Sequence, residues 1–322
     1  MMANQSQEQA KATGELILNS VVAQCLGLLG DRWTLLTIRD LFLGRHRFEE
    51  LLQHTGAVRS TLANRLKVLV EQGIVYRNPY QIAPLRYEYR LTPKGLGLYD
   101  FALSVWSWEH TWHGDEVIDL PPRLVHRKCN KPFIPVCKCT LCEQNITAST
   151  VSNRPNPSYS GGNQVALFSK RRSKVTVSSH KAKDGSLFHA IDILGDRWNN
   201  LILGGALYGL RRYDDFQRGL GISTNILADR LKLLVEAGLF ERVVYQNAPK
   251  RYQYKLTLKG ADYLPIAMAL HKWSEKWLTQ GRGGNVILSH HCQSTPIQFV
   301  FCCSACGFAV DPHDVTANPV DI

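Results

Sequence analysis

The chain repeats itself at a fixed interval of 165 residues. Gly30-Asp31-Arg32-Trp33 returns as Gly195-Asp196-Arg197-Trp198, and RLKVLVEQG from Arg65 to Gly73 returns as RLKLLVEAG from Arg230 to Gly238. Pro84-x-Arg86-Tyr87-x-Tyr89-x-Leu91-Thr92-x-Lys94-Gly95 returns as Pro249-x-Arg251-Tyr252-x-Tyr254-x-Leu256-Thr257-x-Lys259-Gly260. A solenoid repeats every roughly 20–50 residues, so an interval this long marks a duplicated domain. The 322 residues predict two or three folded units at about 100–200 residues each. Two similar modules in one polypeptide can act as a built-in pseudo-dimer.

The second copy shows how each module is laid out. In RRYDDFQRGLG, Tyr213, Phe216 and Leu220 recur at helical spacing, and Gly221 stops the helix. Ser223 or Thr224 then caps a second helix whose buried stripe is Ile226, Leu227, Leu231, Leu234 and Val235. Helix, glycine-containing turn and helix make a helix-turn-helix. After Gly238 the alternating ERVVYQ, a turn at Asn247-Ala248-Pro249 and RYQYKLT predict a β-hairpin, which in that position is a wing. Each copy closes on a Trp-bearing helix, with Trp108 and Trp112 matching Trp273 and Trp277; four-residue spacing stacks each pair on one face as packing anchors.

Net charge is +11, a bias toward polyanionic partners. No run of about 18 apolar residues spans a bilayer, and MMANQSQEQAKATGE has no secretory-signal pattern, so the expected location is cytoplasmic, with no membrane partner. The chain carries no GxSxG, P-loop, GxGxxG after a strand, or HExxH, which argues against an enzyme.

Together GDRW, RLK-x-LVE-x-G, the P-x-RY-x-Y-x-LT-x-KG wing and the Trp-rich helix resemble the HxlR-type winged helix-turn-helix transcription regulators, over about 95 residues in each half. The resemblance implies a mainly α fold with small β-hairpins, and dimeric binding to double-stranded DNA that switches nearby genes. Here two copies are fused, giving a monomeric pseudo-dimer or a homodimer of such chains, with an unknown effector. Family members commonly carry Cys-Pro starting ten residues before the motif glycine. This chain has Ser20-Val21 and Gly185-Ser186 there, which puts thiol sensing at that place in doubt. Cys25 lies in the apolar run VVAQCLGLL and reads as a small buried hydrophobe. Asn199, Asn200 and Gly204 stand where the first copy has Thr34, Leu35 and Arg39, so the second helix is looser or faces a partner or ligand.

A recognition helix needs short polar or hydrogen-bonding side chains on its first turns, where base edges come within reach. The candidates are Arg59, Ser60, Asn64, Arg65 and Lys67 in the first copy and Thr224, Asn225, Arg230 and Lys232 in the second. Asp229 makes the second less clear. On the wings, Arg86, Lys250 and Arg251 are placed for backbone or minor-groove contact. Arg65 and Arg230 have two open readings, phosphate contact or a structural ion pair. Lys94 and Lys259 read as turn residues.

Eight of nine cysteines fall into two clusters, one after each module. His126-x-x-Cys129 precedes Cys139-x-x-Cys142, with Cys137 extra; His290-His291-Cys292 precedes Cys303-x-x-Cys306, with Cys302 extra. In a reducing compartment this pattern favours metal over disulfide, and four soft ligands suit structural Zn²⁺. The expected ligands are His126, Cys129, Cys139 and Cys142 in one tail, and His291, Cys292, Cys303 and Cys306 in the other. Packed free thiols and a redox switch are the alternatives.

The expected organisation is a winged module at 15–114, a Cys-rich, zinc-ribbon-like tail at 121–150, a linker at 151–184, a second module at 185–280 and a second tail at 286–322. Residues 154–183 contain seven Lys or Arg and no acid, with Lys170-Arg171-Arg172 and Lys174 as auxiliary phosphate contacts. A coil from Glu143 to Asp184 reaches about 35 Å, near the roughly 34–36 Å between successive major-groove faces. The rival function is a ligand- or redox-responsive protein-interaction scaffold that keeps winged helices for dimerisation.

Overall fold

A computed structural model describes residues 2–113, 123–159, 188–293 and 295–318. Along the chain, α1 (Met2–Leu18) and α2 (Val21–Leu29) precede α3 (Arg32–Phe42), α4 (Phe48–Thr55), α5 (Arg59–Glu71), β1 (Val75–Ile82), β2 (Leu85–Leu91), α6 (Pro93–Leu96) and α7 (Tyr99–His113). The first tail holds β3 (Arg123–His126), β4 (Lys131–Pro132), β5 (Pro135–Cys139) and β6 (Val151–Pro155). The second copy runs α8 (Phe188–Leu194), α9 (Arg197–Leu207), α10 (Tyr213–Leu220), α11 (Thr224–Glu236), β7 (Phe240–Asn247), β8 (Lys250–Leu256), α12 (Leu258–Ala261) and α13 (Leu264–Trp277). The second tail holds β9 (Val286–His290), β10 (Phe299–Cys303) and β11 (Val315–Asn318). Among the described residues no single helix is long and apolar enough to cross a membrane.

Two compact units result, and each draws on both copies. Among the described residues the N-module unit gathers 29–113, 123–138, 188–195 and 300–318; the C-module unit gathers 2–28, 139–159, 196–293 and 295–299. The segment upstream of each GDRW motif thus packs with the other copy: α1 packs on α9 and α10 of the second copy, and α8 packs on α3 and α7 of the first. The segment expected to open the first module at 15–28 belongs with the second, and 188–195, expected at the start of the second, belongs with the first. Residues 151–155, expected as linker, form β6, which pairs antiparallel with β9. The basic cluster Lys170-Arg171-Arg172 and Lys174 lies outside the described residues.

Within the N-module unit, α3, α4 and α5 form the helical layer and β1–β2 the wing, paired from Val75↔Leu91 to Ile82↔Leu85 with a bulge between Pro79 and Gln81. The C-module unit repeats this with α9 to α11 and β7–β8, bulged between Val244 and Gln246. Leu62, Leu66 and Leu69 bury one stripe of α5, and Leu227, Leu231 and Leu234 the matching stripe of α11. Gly221 takes φ +59 to end α10, a left-handed turn that glycine adopts without a Cβ penalty.

The LT-x-KG motif has a steric cause. Thr92 caps α6, accepting from Gly95 N–H at 3.2 Å, while its hydroxyl donates to Gly73 O at 2.6 Å. A Cβ on Gly95 would sit 2.2 Å from Ile74 O, and one on Gly260 would sit 2.1 Å from Leu239 O. Glycine is therefore required where α6 and α12 press on the strand that starts each wing. Trp108 and Trp273 are buried, whereas their expected partners Trp112 and Trp277 are half-buried, and Cys25 is fully buried.

Candidate nucleic-acid interface and metal clusters

Asp31 ends the loop before α3 and accepts hydrogen bonds from the Trp33 and Thr34 N–H groups, both at 3.2 Å. The same carboxylate takes Arg65 Nε of α5 at 3.0 Å. In the second copy Asp196 accepts from Trp198 N–H at 2.9 Å and Asn199 N–H at 3.1 Å, and pairs with Arg230 Nη2 at 2.8 Å. The cap and the ion pair share one carboxylate, so GDRW and RLK are two ends of a brace between α3 and α5 in one copy and between α9 and α11 in the other. Of the two open readings of Arg65 and Arg230, the structure supports the ion pair. The Arg230–Asp196 side chains are 13% and 3% exposed, so that guanidinium is committed inside the module.

The remaining helix candidates do lie outward. Arg59, Ser60, Asn64 and Lys67 form with Ala63 one exposed stripe of α5, opposite the leucines. Thr224, Asn225, Asp229 and Lys232 form with Ala228 the same stripe of α11. Arg59 donates to both oxygens of Glu49, at 2.9 and 3.0 Å, yet its side chain stays 64% exposed. Lys67 and Lys232 face Glu71 and Glu236 across exposed four-residue spacings, pairs that contribute about 0.3–0.5 kcal/mol and leave the ammonium groups available. Replacing Arg59 and Asn64 by Thr224 and Asp229 makes the second stripe less basic.

Each wing is anchored at its base. Tyr89 N–H donates to His46 O at 2.8 Å and Tyr254 N–H to Arg211 O at 2.7 Å, while the Arg47 and Arg212 guanidinium groups lie over the Tyr80 and Tyr245 rings at 4.8 and 4.5 Å. Arg86, Lys250 and Arg251 are exposed near the turns, and Arg77, which the sequence reading passed over, is exposed near the start of β1. On the second wing Arg242 lies 3.9 Å from the Tyr252 ring centroid, and hydrogen bonds from Lys250 and Arg242 hold the Tyr252 hydroxyl pKa below its ordinary value. Lys94 donates to Gln72 O at 2.9 Å, a turn role.

The residues matched by the HxlR-like helix-turn-helix family model are 28–117 and 193–282, more than half of the chain. The chain belongs to the HxlR-like helix-turn-helix family. An uncharacterized HTH-type transcriptional regulator of Mycobacterium tuberculosis is 36% identical over 45% of this chain and 92% of its own length. Another from Bacillus subtilis is 37% identical over 28% of this chain and 83% of its own. A solved structure of a Pseudomonas aeruginosa protein, taken to be a transcription factor, is 39% identical over 36% of this chain and 70% of that one, with a TM-score of 0.25. Tandem HxlR-type modules, DNA binding and transcription regulation are thus the family assignment of this protein.

The cysteine clusters assemble differently from the sequence expectation. His126 and Cys129 meet Cys303 and Cys306 in the N-module unit, and Cys139 and Cys142 meet His290 and Cys292 in the C-module unit. In the first cluster Cys129 Sγ lies 3.9 Å from Cys303 Sγ, and His126 Nδ1 lies 3.2 Å from Cys306 Sγ and 3.6 Å from Cys129 Sγ. In the second, Cys139 Sγ lies 3.6 Å from Cys292 Sγ, and His290 Nδ1 lies 3.6 Å from Cys142 Sγ and 3.1 Å from Cys292 Sγ. A tetrahedron with metal–sulfur bonds of about 2.3 Å has edges of about 3.8 Å, so both donor sets fit one metal ion each. Strand pairing brings them together: β3, ending at His126, pairs with β11 beyond the second knuckle, and β9, ending at His290, pairs with β6 beyond the first.

The histidine of the second set is also corrected. His290 is buried at the end of β9, whereas His291 is exposed and hydrogen-bonds Gln144 Oε1 at 3.0 Å through Nε2. The two-residue alternation of a strand allows one of two adjacent histidines to face inward. Cys137 and Cys302 are buried and belong to neither set. A third group, Glu109 with His113 and His189, was not picked out in the sequence. Glu109 bonds His189 Nδ1 at 2.9 Å and Ala190 N–H at 2.7 Å, which ties α7 to the start of α8.

Asn200 resolves the oddity of the second copy. Its Oδ1 accepts from the Tyr263 hydroxyl at 3.0 Å and its Nδ2 donates to Asp196 O at 2.9 Å, all buried. The positions 165 residues earlier are Leu35 and Leu98, so an apolar pair has been exchanged for a hydrogen-bonded one, and Asn200 faces the core.

Proposed function

We propose that this chain is a sequence-specific regulator that reads double-stranded DNA with α5 and α11, the fused modules serving one operator as an intramolecular pair. The carrying observation is the outward polar stripe of each recognition helix, backed by a leucine stripe and flanked by a wing with exposed Arg86, or Lys250 and Arg251. Arg59, Ser60, Asn64 and Lys67, with Thr224, Asn225 and Lys232, face base edges and phosphates, and the wing cations face the backbone. Arg65 and Arg230 hold these helices in place through Asp31 and Asp196. Fusion raises the effective concentration of the second module once the first is bound. The more acidic second stripe suits an asymmetric site.

Structural zinc in the two His/Cys clusters completes this reading. Histidine and thiolate donors suit a closed tetrahedral site, and four protein ligands leave no open position for catalysis. When bound, the ion ties a strand of one tail to the knuckle of the other; His126, Cys129, Cys303 and Cys306 would hold one, and Cys139, Cys142, His290 and Cys292 the second.

Selection of bound sites from random duplexes tests the DNA reading. Two half-sites of unequal sequence are expected, and failure to enrich any sequence over nonspecific duplex would overturn it. With the selected site, Arg59→Ala and Arg86→Ala are each expected to reduce the slope of log affinity against log salt by about 1.

A further inference from the structure

The first wing exposes apolar surface that the second does not. Among the described residues, eleven large apolar or aromatic side chains stay exposed, and five of them, Tyr76, Tyr80, Ile82, Leu85 and Tyr87, lie on this one hairpin; the second wing contributes only Val244. Exposure peaks at the tip, where Ile82 is 87% exposed and Leu85 56%. These two form the last cross-strand pair, and Ala83-Pro84 turns between them, so the whole tip is apolar.

The second copy is an internal control. Its wing keeps the register and the bulge, but its last pair is Asn247↔Lys250 across Ala248-Pro249. In both wings a glutamine closes the turn, Gln81 Nε2 donating to Ala83 O and Gln246 Nε2 to Ala248 O, each at 3.1 Å. The same hairpin therefore forms with a polar tip, and folding does not demand Ile82 and Leu85. Apolar side chains held in water at that place gain free energy only when a partner covers them.

The surroundings select that partner. Between Tyr80 and Tyr87 the chain has no acidic residue, and Arg86, next to Leu85, is exposed. Glu88, the one carboxylate of this wing, lies nearer the base and takes Arg90 Nε at 2.7 Å. An apolar tip beside a cation suits a polyanion with an apolar interior, and duplex DNA has phosphates outside and stacked bases within. Proteins that enter the minor groove insert Leu, Ile or Pro between base steps and bend the duplex by roughly 20–90°. Opposed hairpin residues stand about 4.5–5.5 Å apart at Cβ, more than the roughly 3.4 Å between stacked bases, so such a pair enters only by opening the step.

We propose that the first wing is a minor-groove wedge: Ile82 and Leu85 open one base step, and Arg86 holds a flanking phosphate. The second wing, tipped by Asn247 and Lys250, contacts its half-site without opening a step. The operator is therefore bent once, on the side of the first module. This inference rests on the DNA-binding reading and adds to it a preference for a deformable pyrimidine–purine step that no hydrogen bond reads.

The test places the full chain, at saturating concentration, on the selected duplex with 2-aminopurine substituted in turn for each adenine of either strand. This base fluoresces when it is unstacked. The parent is expected to raise the signal several-fold at one step of one half-site, and energy transfer between the duplex ends is expected to report a bend of roughly 20–90°. Ile82→Asn/Leu85→Lys gives the first wing the tip that the second already folds with. That variant is expected to lose both signals while the duplex stays bound at saturation. A parent that binds the selected duplex without unstacking any step overturns the wedge and leaves the DNA reading standing, as does unstacking that persists in the variant. A parent that binds no selected duplex overturns the DNA reading itself and the wedge with it. Self-association of the free chain that disappears in the variant, with no unstacking on DNA, assigns the tip to a second copy and overturns the wedge.

Discussion

Metal stoichiometry separates the exchanged clusters from the within-tail alternative. Cys129 and Cys306 share one cluster in the structure, but within-tail ligation would place them in two. Cys129 and Cys142 belong to different clusters in the structure, but within-tail ligation would place them in one. Zinc measured on native protein is therefore expected at two ions per chain for the parent, one for Cys129→Ser/Cys306→Ser and none for Cys129→Ser/Cys142→Ser. The stability effect follows from chain topology. Cys129 and Cys303 are 174 residues apart, and a cross-link over that length restricts the unfolded chain by about 5 kcal/mol on the chain-entropy relation. Once one cluster has closed such a loop, the second closes a shorter effective one and contributes less. Chelation is thus expected to lower the denaturant midpoint strongly, and the one-ion variant to fall between parent and chelated protein. Reversed stoichiometries for the two double variants would refute the exchanged pairing, and a parent with no bound zinc would refute the metal itself.

Other perturbations reach the brace, the motif glycines and the interface. Arg230→Ala leaves the Asp196 carboxylate, 3% exposed, without its cation and is expected to cost about 3 kcal/mol, while Arg65→Ala at its 29%-exposed counterpart costs about 1 kcal/mol in chemical denaturation. Equal losses would show that burial does not set the difference. Gly260→Ala forces a Cβ to within 2.1 Å of Leu239 O and is expected to lose about 1–3 kcal/mol, whereas an unchanged melting temperature would mean that α12 shifts freely. Lys67→Ala and Lys232→Ala, exposed on their helices, should leave stability within about 0.5 kcal/mol while weakening duplex binding, read by fluorescence anisotropy. A loss of folding in either would place those lysines in the scaffold.

Much of the local chemistry was legible along the chain. Leucines at helical spacing mark α5 and α11 because one face of each helix must be buried, and that same period leaves Arg59, Ser60, Asn64 and Lys67 outside. The wing residues follow from alternation and the turn at Pro84 or Pro249. Arg65 and Arg230 were not decidable in the same way, since an arginine at intermediate exposure serves a phosphate or a carboxylate equally well until its partner is located. The Asp of GDRW could have signalled it: an N-cap aspartate is a fixed negative charge, and one per copy accompanies one such arginine per copy. The choice of His290 over His291 likewise needed the phase of β9, which composition does not set.

What the amino-acid order determines by itself is which pieces exist: two winged helix-turn-helix modules, the helices that precede them, and two sets of four soft ligands. It does not determine which copy each piece joins. The two copies share the same sequence motifs at a 165-residue interval, so local pattern cannot say whether a helix or a Cys-x-x-Cys knuckle packs with its own module or with the other. Tertiary structure decides it through long-range strand pairing, β3 with β11 and β6 with β9, which commits each His-bearing strand to the knuckle encoded in the opposite half.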